Sequence, residues 1–196
     1  MIHTDETVLQ VLKEEGRKAS TESRMWVYTS GRSPTPTVLF EYQPTRSSQH
    51  ARRFLEGFSG YLQTDGYSGY NVVPDVTHCG CWAHMQRKWE EAIPTGIDAK
   101  NSKAAIGYGY CNRLFGMEEE WTELPSEKRY EERLRYAKPL LDEFWQWVES
   151  LKPLQNLNLG KAVTYALNQK ESQTTSCWMG VLKFRIIERK MPFVHM

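Results

Sequence analysis

The segment Ser47-Ser-Gln-His-Ala-Arg-Arg-Phe-Leu-Glu-Gly-Phe-Ser-Gly-Tyr-Leu-Gln-Thr-Asp-Gly66 joins a predicted helix to a predicted strand and ends at an acidic turn. Ser47 is a suitable helix N-cap, and apolar side chains then recur at helical spacing as far as Phe58. Tyr61 to Thr64 is a short strand candidate, which stops at the turn-forming pair Asp65-Gly66. The segment therefore places an acidic side chain at the end of a strand that follows a helix.

Further elements are predicted on both sides of this segment. Three strand-like runs precede it, and a strand that leads into a helix follows it. They are Thr7 to Leu12, Met25 to Tyr28 and Thr37 to Tyr42 before the segment, then the strand Val76 to Cys81 and the helix Ala83 to Ala92. The order of three strands, helix, strand, strand and helix predicts an α/β domain.

The pattern changes after residue 98. From Ala99 to about Leu151, apolar residues recur among many Glu, Lys and Arg residues, which predicts amphipathic helices without strands. Leu159 to Lys170 is one further predicted helix. We therefore divide the chain into a core over residues 1–98, a helical insertion over residues 99–158, a helix returning to the core over residues 159–175, and a tail over residues 176–196.

Composition narrows the class of protein. The chain has 196 residues, of which 40% are hydrophobic, and this suffices for one sizeable core. No window approaches the roughly 18 apolar residues of a membrane span, and the 4 cysteines are too few for a disulfide framework. We therefore expect a cytoplasmic protein with reduced thiols and no membrane partner. The net charge of +1 means that any contact with nucleic acid comes from local patches.

Asp5 and Asp65 are the candidate catalytic acids. Asp5 lies at the start of a predicted strand, and Asp65 lies at the end of another. Carboxylates on neighbouring strands can hold Mg²⁺ or Mn²⁺, and two such ions about 3.5–4 Å apart support in-line phosphoryl displacement. An Asp before a Gly is also a common turn former, so the spacing alone leaves both interpretations of Asp65 open.

Several strings resemble, in the same order, the transposases of the insertion-sequence-sixty-six family. They are His3-Thr-Asp-Glu-Thr7 with Val8-Leu-Gln-Val-Leu12, Val38-Leu-Phe-Glu-Tyr-Gln-Pro44, Phe58-Ser-Gly-Tyr-Leu-Gln-Thr-Asp-Gly66 and Gly80-Cys-Trp-Ala-His84. The similarity continues through Gly160-Lys-Ala-Val-Thr-Tyr-Ala-Leu-Asn-Gln169 and so covers most of the chain.

The resemblance implies a ribonuclease-H-like fold, with a mixed sheet, flanking helices, a helical insertion and an Asp-Asp-Glu metal site. Asp5 matches the first acid of that site, and Asp65 matches the second. The implied ions are Mg²⁺ or Mn²⁺. The implied partners are DNA, as element ends and target, and other transposase subunits.

The residues around Cys81 include soft metal ligands. Cys81 and His84, with His78 and Cys79 before them, offer half of a zinc site, but a structural zinc takes four ligands and no second cluster follows, so we do not expect zinc. In the resembled family a Cys-x-x-His motif follows the second acid. This implies a site-adjacent catalytic role for His84 and a packing role for Cys81. A core histidine satisfied by hydrogen bonds is the alternative.

Other residues receive weaker assignments. Arg87 and Lys88 are candidate phosphate contacts on the helix of His84, with a solvated helix face as the alternative. The tryptophans fall among apolar residues at helical spacing, so we expect them in the core. Glu118 to Glu120 and Glu171 are expected on exposed faces, and none of them is our candidate for a third acid.

The resemblance stops after Thr175. The family pattern would continue as Phe-Leu-x-Asp-Gly-Arg-Leu-Glu-Ile-Ser-Asn-Asn-x-x-Glu, whose final Glu is the third metal ligand. This chain instead has Ser176-Cys-Trp-Met-Gly-Val-Leu-Lys-Phe-Arg-Ile-Ile-Glu-Arg-Lys190. Trp178 and Met179 each have only one possible codon. Read in a shifted frame, these codons encode Asp-Gly, and the codons after them are compatible with the rest of the family pattern. One lost nucleotide near codon 176 explains the change, and Glu188 is then not the missing acid.

The start is also expected to be cut, because Met1 falls within the first strand whereas the resembled family has a long upstream region. We therefore predict a remnant of a DNA transposase that keeps two of three acids and is inactive or nearly so. The alternative class is a catalytically dead module that binds DNA or full-length transposase and interferes with it. We expect the tail from Ser176 to be poorly integrated, with Val181 to Ile186 pairing at most as an edge strand.

Overall fold

A computed structural model of the chain describes residues 1–31, 35, 37–96 and 99–178. Its centre is a five-stranded mixed sheet with the strand order β3-β2-β1-β4-β5. Strands β1 to β3 are antiparallel neighbours, β4 runs parallel to β1, and β5 runs parallel to β4. The strands are β1 (Ile2–Gln10), β2 (Glu22–Ser30), β3 (Val38–Gln43), β4 (Gly60–Thr64) and β5 (Val76–Gly80).

Seven α-helices are present in the described residues, and they confirm the predicted mixed α/β class. They are α1 (Ser48–Phe54), α2 (Trp82–Glu90), α3 (Lys103–Glu120), α4 (Ser126–Glu132), α5 (Lys138–Ser150), α6 (Asn158–Asn168) and α7 (Lys170–Cys177). Short 3₁₀ helices cover Ser68–Val72 and Ala99–Asn101, and a π-helical segment, Arg133–Ala137, lies between α4 and α5.

Some element bounds differ from the sequence-based prediction. β1 begins at Ile2 and not at Thr7, because it pairs with β2 over its whole length. Asp5 therefore lies inside a strand, and the prediction that it begins one is wrong. Helix α1 follows the predicted Ser47 cap, whose hydroxyl accepts from the Gln49 backbone N–H, but it ends at Phe54 and not at Phe58. The turn after it contains Gly57 with a φ of 77°.

The helix predicted from Leu159 to Lys170 is two helices. Helix α6 ends at Asn168, because Gln169 leaves the helical conformation with φ −100° and ψ 4°, and α7 starts at the next residue. Ser176 and Cys177 belong to α7 and are fully buried. The expectation of a poorly integrated tail is therefore wrong for these two residues. The tail from residue 179 onward, with the proposed edge strand, lies outside the described residues.

Two apolar clusters fill the interior. One lies between the sheet and α1 and includes Trp26, Leu62 and Tyr70. The other is formed by helices, and its large members include the tryptophans of α2 and α5. Residues 99–151 contain helices and no strand, as predicted. They pack mainly on α2 and not directly beside the sheet, whereas α7 contacts β5.

Candidate metal centre

Asp5 and Asp65 lie on the two central parallel strands. In the pairing of β1 with β4, Ile2 is opposite Leu62 and His3 is opposite Gln63. Continuing this register sets Asp5 level with Asp65, the first residue after β4. The adjacency of the two strands, predicted from the sequence, is confirmed.

Alternation along β1 directs Asp5 and Glu6 to different surroundings. Successive side chains of a strand point to opposite faces. Thr4 and Glu6 both contact the hydroxyl of Tyr70, in the cluster under α1. Asp5 instead faces α2, where Nε2 of His84 lies 3.7 Å from its Oδ2. One strand thus supplies an acid to each face of the sheet.

Three side chains meet at the end of the sheet. Asp5, Asp65 and His84 each offer one potential metal-ligand atom, and all of these atoms lie within 4.8 Å of one another. They come from three elements: β1, the turn after β4 and the first turn of α2. The Asp-Gly turn also has a structural role, because Gly66 adopts a φ of 89°, and a Cβ there would lie 2.5 Å from Cδ of Gln169.

Backbone hydrogen bonds hold one oxygen of each carboxylate. Oδ1 of Asp5 accepts from the N–H of Glu6 at 2.9 Å, and Oδ1 of Asp65 accepts from the N–H of Tyr67 at 2.8 Å. The second oxygen of Asp5 faces His84, and the second oxygen of Asp65 lies 3.7 Å from Nη2 of Arg46. Each acid is therefore oriented by the backbone while its other oxygen remains in position to bind a cation.

The electrostatics of the centre favour a bound cation. Burial, and then the nearby charge of Asp65, raise the pKa of Asp5 to about 6. Burial also lowers the pKa of His84, although the charge of Asp65 acts in the opposite direction. The neutral imidazole is the form that binds metals. Two carboxylates in a half-buried site repel each other, and a divalent ion between them removes that repulsion.

The ring nitrogens of His84 make no hydrogen bond within the described residues. Its Nδ1 is buried and has no hydrogen-bond partner in the described part of the chain. Its Nε2 lies 3.7 Å from Asp5, which is beyond hydrogen-bonding distance. The described residues therefore do not supply the hydrogen bonds of the core-histidine alternative, and the site-adjacent role of His84 stays a prediction.

Arg46 and Glu6 adjoin the centre, and the sequence analysis did not identify them. Nε of Arg46 donates to Oε1 of Glu6 at 2.6 Å, and the hydroxyl of Tyr70 donates to Oε2 at the same distance. The Arg46 guanidinium also stacks on Tyr67, 3.8 Å from the ring centroid. Burial raises the pKa of Glu6. Arg46 and Tyr70 occupy both Glu6 oxygens, and Arg46 links this acid to Asp65, 3.7 Å from its Nη2.

Helices α6 and α7 hold the loops that carry the centre. The Tyr165 hydroxyl donates to the backbone carbonyl of Asp65 at 2.7 Å. The Gln173 amide donates to the backbone carbonyl of Cys81 at 3.1 Å. A Cβ on Gly80 would lie 2.5 Å from Cδ of Gln173, so glycine permits this close approach. No local sequence signal identifies these contacts, since about a hundred residues separate the partners.

The remaining predicted site residues have different surroundings. Arg87 is exposed one turn after His84. Lys88 is half-buried and pairs with Glu91 at 3.3 Å, so its charge is already partnered. Cys81 is buried, as its packing role predicts. Among the described residues, no group of three or more potential metal ligands includes a cysteine.

Comparison with known families places the chain among transposases. Residues 1–184 match the family described as Transposase IS66 family, and the chain belongs to this family. The match extends past Thr175, the position at which the string-by-string resemblance stops.

Similar proteins are found in Sinorhizobium fredii. The chain is 26% identical to uncharacterized protein y4qI over 189 residues, covering 87% of this chain and 34% of that protein. It is 25% identical to uncharacterized protein y4hP over 168 residues, covering 75% of this chain and 30% of that protein. The chain thus spans about a third of the length of these curated relatives. No solved structure matches it.

Within the described residues, no helix has both the length and the apolar character needed to cross a bilayer.

Proposed function

We propose that the chain carries part of a metal-dependent centre for cleavage and transfer of DNA strands during transposition. The observation that carries this proposal is the convergence of Asp5, Asp65 and His84 within 4.8 Å, in a chain of the IS66 transposase family. The mixed sheet order β3-β2-β1-β4-β5, with helices α1 and α2 flanking it, supports a ribonuclease-H-like fold. The partner is then DNA at element ends and target sites, together with other transposase subunits.

The residues present fit Mg²⁺ or Mn²⁺. Both ions accept hard carboxylate oxygens, and each Asp keeps one oxygen that no backbone N–H holds. A bound ion of this kind activates water and stabilises charge on a transferring phosphoryl group. Asp5 and Asp65 hold and orient the ion in this proposal. Arg87, exposed on α2 beside His84, is placed to contact a DNA phosphate.

Among the described residues, no third carboxylate joins Asp5 and Asp65, whereas the resembled site has two Asp and one Glu. Glu118 is engaged by Arg133, Glu6 is engaged by Arg46 and Tyr70, and Glu171 is exposed on α7. Two carboxylates neutralise less of the charge on two divalent ions than three do. We therefore propose that this polypeptide binds metal weakly and is inactive or nearly inactive in strand cleavage.

Restoring the reading frame tests this proposal. One base inserted before codon 176 restores Asp-Gly and the later Glu, so calorimetry should show tighter Mn²⁺ binding by the repaired chain. Nicking of supercoiled plasmid with Mn²⁺ should appear only in the repaired chain and should disappear on Asp65→Asn. Equal Mn²⁺ affinity of the two chains, or nicking by the unrepaired chain that Asp65→Asn abolishes, would contradict the missing-acid account. Wild-type Mn²⁺ binding unchanged by Asp65→Asn would contradict the metal centre itself.

A further inference from the structure

We propose that His84 is a direct metal ligand in this chain and that it gives the centre a preference for Mn²⁺ and other first-row transition ions over Mg²⁺. The inference rests on the proposed metal role of Asp5 and Asp65. It adds a third ligand of a different chemical type to those two acids.

The distances suit one shared ion. Bonds from a metal ion to imidazole nitrogen or carboxylate oxygen are about 2.0–2.2 Å, so ligand atoms on opposite sides of an ion are about 4.0–4.4 Å apart. Nε2 of His84 and Oδ2 of Asp5 are 3.7 Å apart, which lies within this limit. The largest separation in the group is within 4.8 Å, close to the upper end of this range. The three side chains therefore lie near the spacing that one shared ion requires.

The state of the imidazole supports a ligand role. The side chain of His84 is 16% exposed, so water has little access to it. Its nitrogens make no hydrogen bond in the described part of the chain, and Nε2 is the one directed at the acids. Nε2 and Oδ2 of Asp5 are 3.7 Å apart, so each can contribute an electron pair to one ion lying between them.

The ligand types decide the metal preference. Mg²⁺ favours oxygen ligands and retains its waters, whereas imidazole suits transition ions, whose affinity for nitrogen sites exceeds that of Mg²⁺. Two carboxylates and one imidazole therefore bind Mn²⁺ or Co²⁺ more tightly than Mg²⁺. Among the described residues, His84 is then the third protein ligand, beside Asp5 and Asp65.

Two variants test the role of His84. His84→Gln places an amide near the position of Nε2, so oxygen can still bind there while the imidazole nitrogen is lost. His78→Gln is the matched control, because His78 is half-buried on the neighbouring strand β5 and is not one of the three clustered ligands.

Calorimetric titration with Mn²⁺ and with Mg²⁺ gives the affinity ratio for each protein. We expect His84→Gln to weaken Mn²⁺ binding about 10-fold or more and Mg²⁺ binding less than about threefold, and His78→Gln to change neither. Pulsed electron paramagnetic resonance of the Mn²⁺ complex supplies a second readout. The wild type and His78→Gln should show coupling to a directly bonded ¹⁴N, and His84→Gln should not.

The outcomes separate this inference from the proposed function. Mn²⁺ binding that needs Asp5 and Asp65 but lacks ¹⁴N coupling would overturn the ligand role of His84 and leave the acid centre intact. An unchanged Mn²⁺-to-Mg²⁺ ratio in folded His84→Gln would do the same. If the wild type binds neither Mn²⁺ nor Mg²⁺, both proposals are overturned. If His84→Gln does not fold, the ¹⁴N signal of the wild type and its retention in His78→Gln decide the matter, because loss of the signal in His78→Gln would assign the nitrogen to the other histidine.

Discussion

The proposed metal centre at the sheet and the Glu118–Arg133 pair in the helices both hold partly buried charges, but the charges are balanced differently in the two places. Fully buried Arg133 donates from Nε and Nη2 to the two Glu118 oxygens, each at 2.6 Å. At the centre, two carboxylates share one region, and burial with their repulsion raises the pKa of Asp5 to about 6. In the helical pair one guanidinium meets one carboxylate, whereas at the centre Arg46 lies near Asp65 but also pairs with Glu6. Removing one charge of a buried pair is costly, and close charges of one sign mark a candidate binding site.

The largest expected effect on stability comes from breaking the Glu118–Arg133 pair. Arg133→Met leaves Glu118, whose side chain is only 13% exposed, without its bidentate partner. Removing one member of a buried pair costs about 3–5 kcal/mol. We expect the free energy of unfolding, measured in urea, to fall by about 3–5 kcal/mol.

The double variant Arg133→Met/Glu118→Met provides the control for this prediction. It removes both charges together, so much of the lost stability should return. If the free energy of unfolding of Arg133→Met falls by less than about 1 kcal/mol, the Glu118–Arg133 pair contributes no more than a surface ion pair. The contrast with the centre would then be lost.

At the centre, removing a charge is expected to stabilise the chain and not to destabilise it. The pKa of Asp5 is raised in the folded state, so the protonated acid adds stability below the unfolded pKa, and this stability is lost as pH rises through about 6. Asp5→Asn imitates the protonated form at every pH. Without metal ions, we expect it to stabilise the chain at pH 8 by about 1–3 kcal/mol and to have little effect near pH 4.

Urea unfolding in the presence of a chelator at the two pH values measures this effect. Glu22→Gln serves as a control, because it removes an exposed acid on β2 and should not reproduce the pH dependence. If Asp5→Asn destabilises the metal-free chain at pH 8, the acids do not repel each other strongly and the centre resembles the helical pair.

A smaller effect is expected where α6 supports the centre. Tyr165→Phe removes the hydrogen bond to the carbonyl of Asp65 and keeps the ring. The expected cost is about 0.5–1.5 kcal/mol, together with weaker Mn²⁺ binding, because the Asp65 turn loses a support. Tyr110→Phe, which removes an exposed bond to Glu143, is the control and should leave Mn²⁺ affinity unchanged. Equal Mn²⁺ affinity in all three proteins would show that α6 does not position the acid.

The smallest effect concerns DNA. Arg87 is exposed beside the centre, whereas Lys88 is paired with Glu91. Arg87→Ala should reduce the slope of log affinity against log salt by about 0.9, the value for one phosphate contact on duplex DNA. Lys88→Ala should reduce it less. Gel-shift titrations at several salt concentrations measure both slopes, and a larger change for Lys88→Ala would reverse the assignment.

Local patterns predicted much of this molecule. The turn at Asp65-Gly66, the capped helix after Ser47 and the helical character of residues 99–151 follow from short-range spacing. The adjacency of β1 and β4 follows from the order of elements. Bounds were less accurate, because pairing with β2 extends β1 through Asp5, beyond the apolar run that identified it.

Contacts between distant residues were not predictable in the same way. Glu118 belongs to an acidic run that predicts an exposed face, but the π-helical segment Arg133–Ala137 brings a buried guanidinium to it. Tyr165 and Gln173 contact the loops of the centre from α6 and α7, about a hundred residues away in the sequence. Such partners are fixed by packing, and no short window of sequence records them.

Metal-dependent stabilisation tests the central claim most directly. The thermal midpoint of the wild type is measured at pH 8 with increasing Mn²⁺ and compared with that of Asp5→Asn/Asp65→Asn. A ligand that binds only the folded chain, present at 100 times its dissociation constant, adds about 2.7 kcal/mol to the free energy of unfolding. The wild-type midpoint should therefore rise by several degrees. The double variant should start higher in the absence of metal and should not respond to Mn²⁺. An equal rise in the two proteins, or no rise in the wild type at millimolar Mn²⁺, would contradict the assignment of Asp5 and Asp65 as a metal centre.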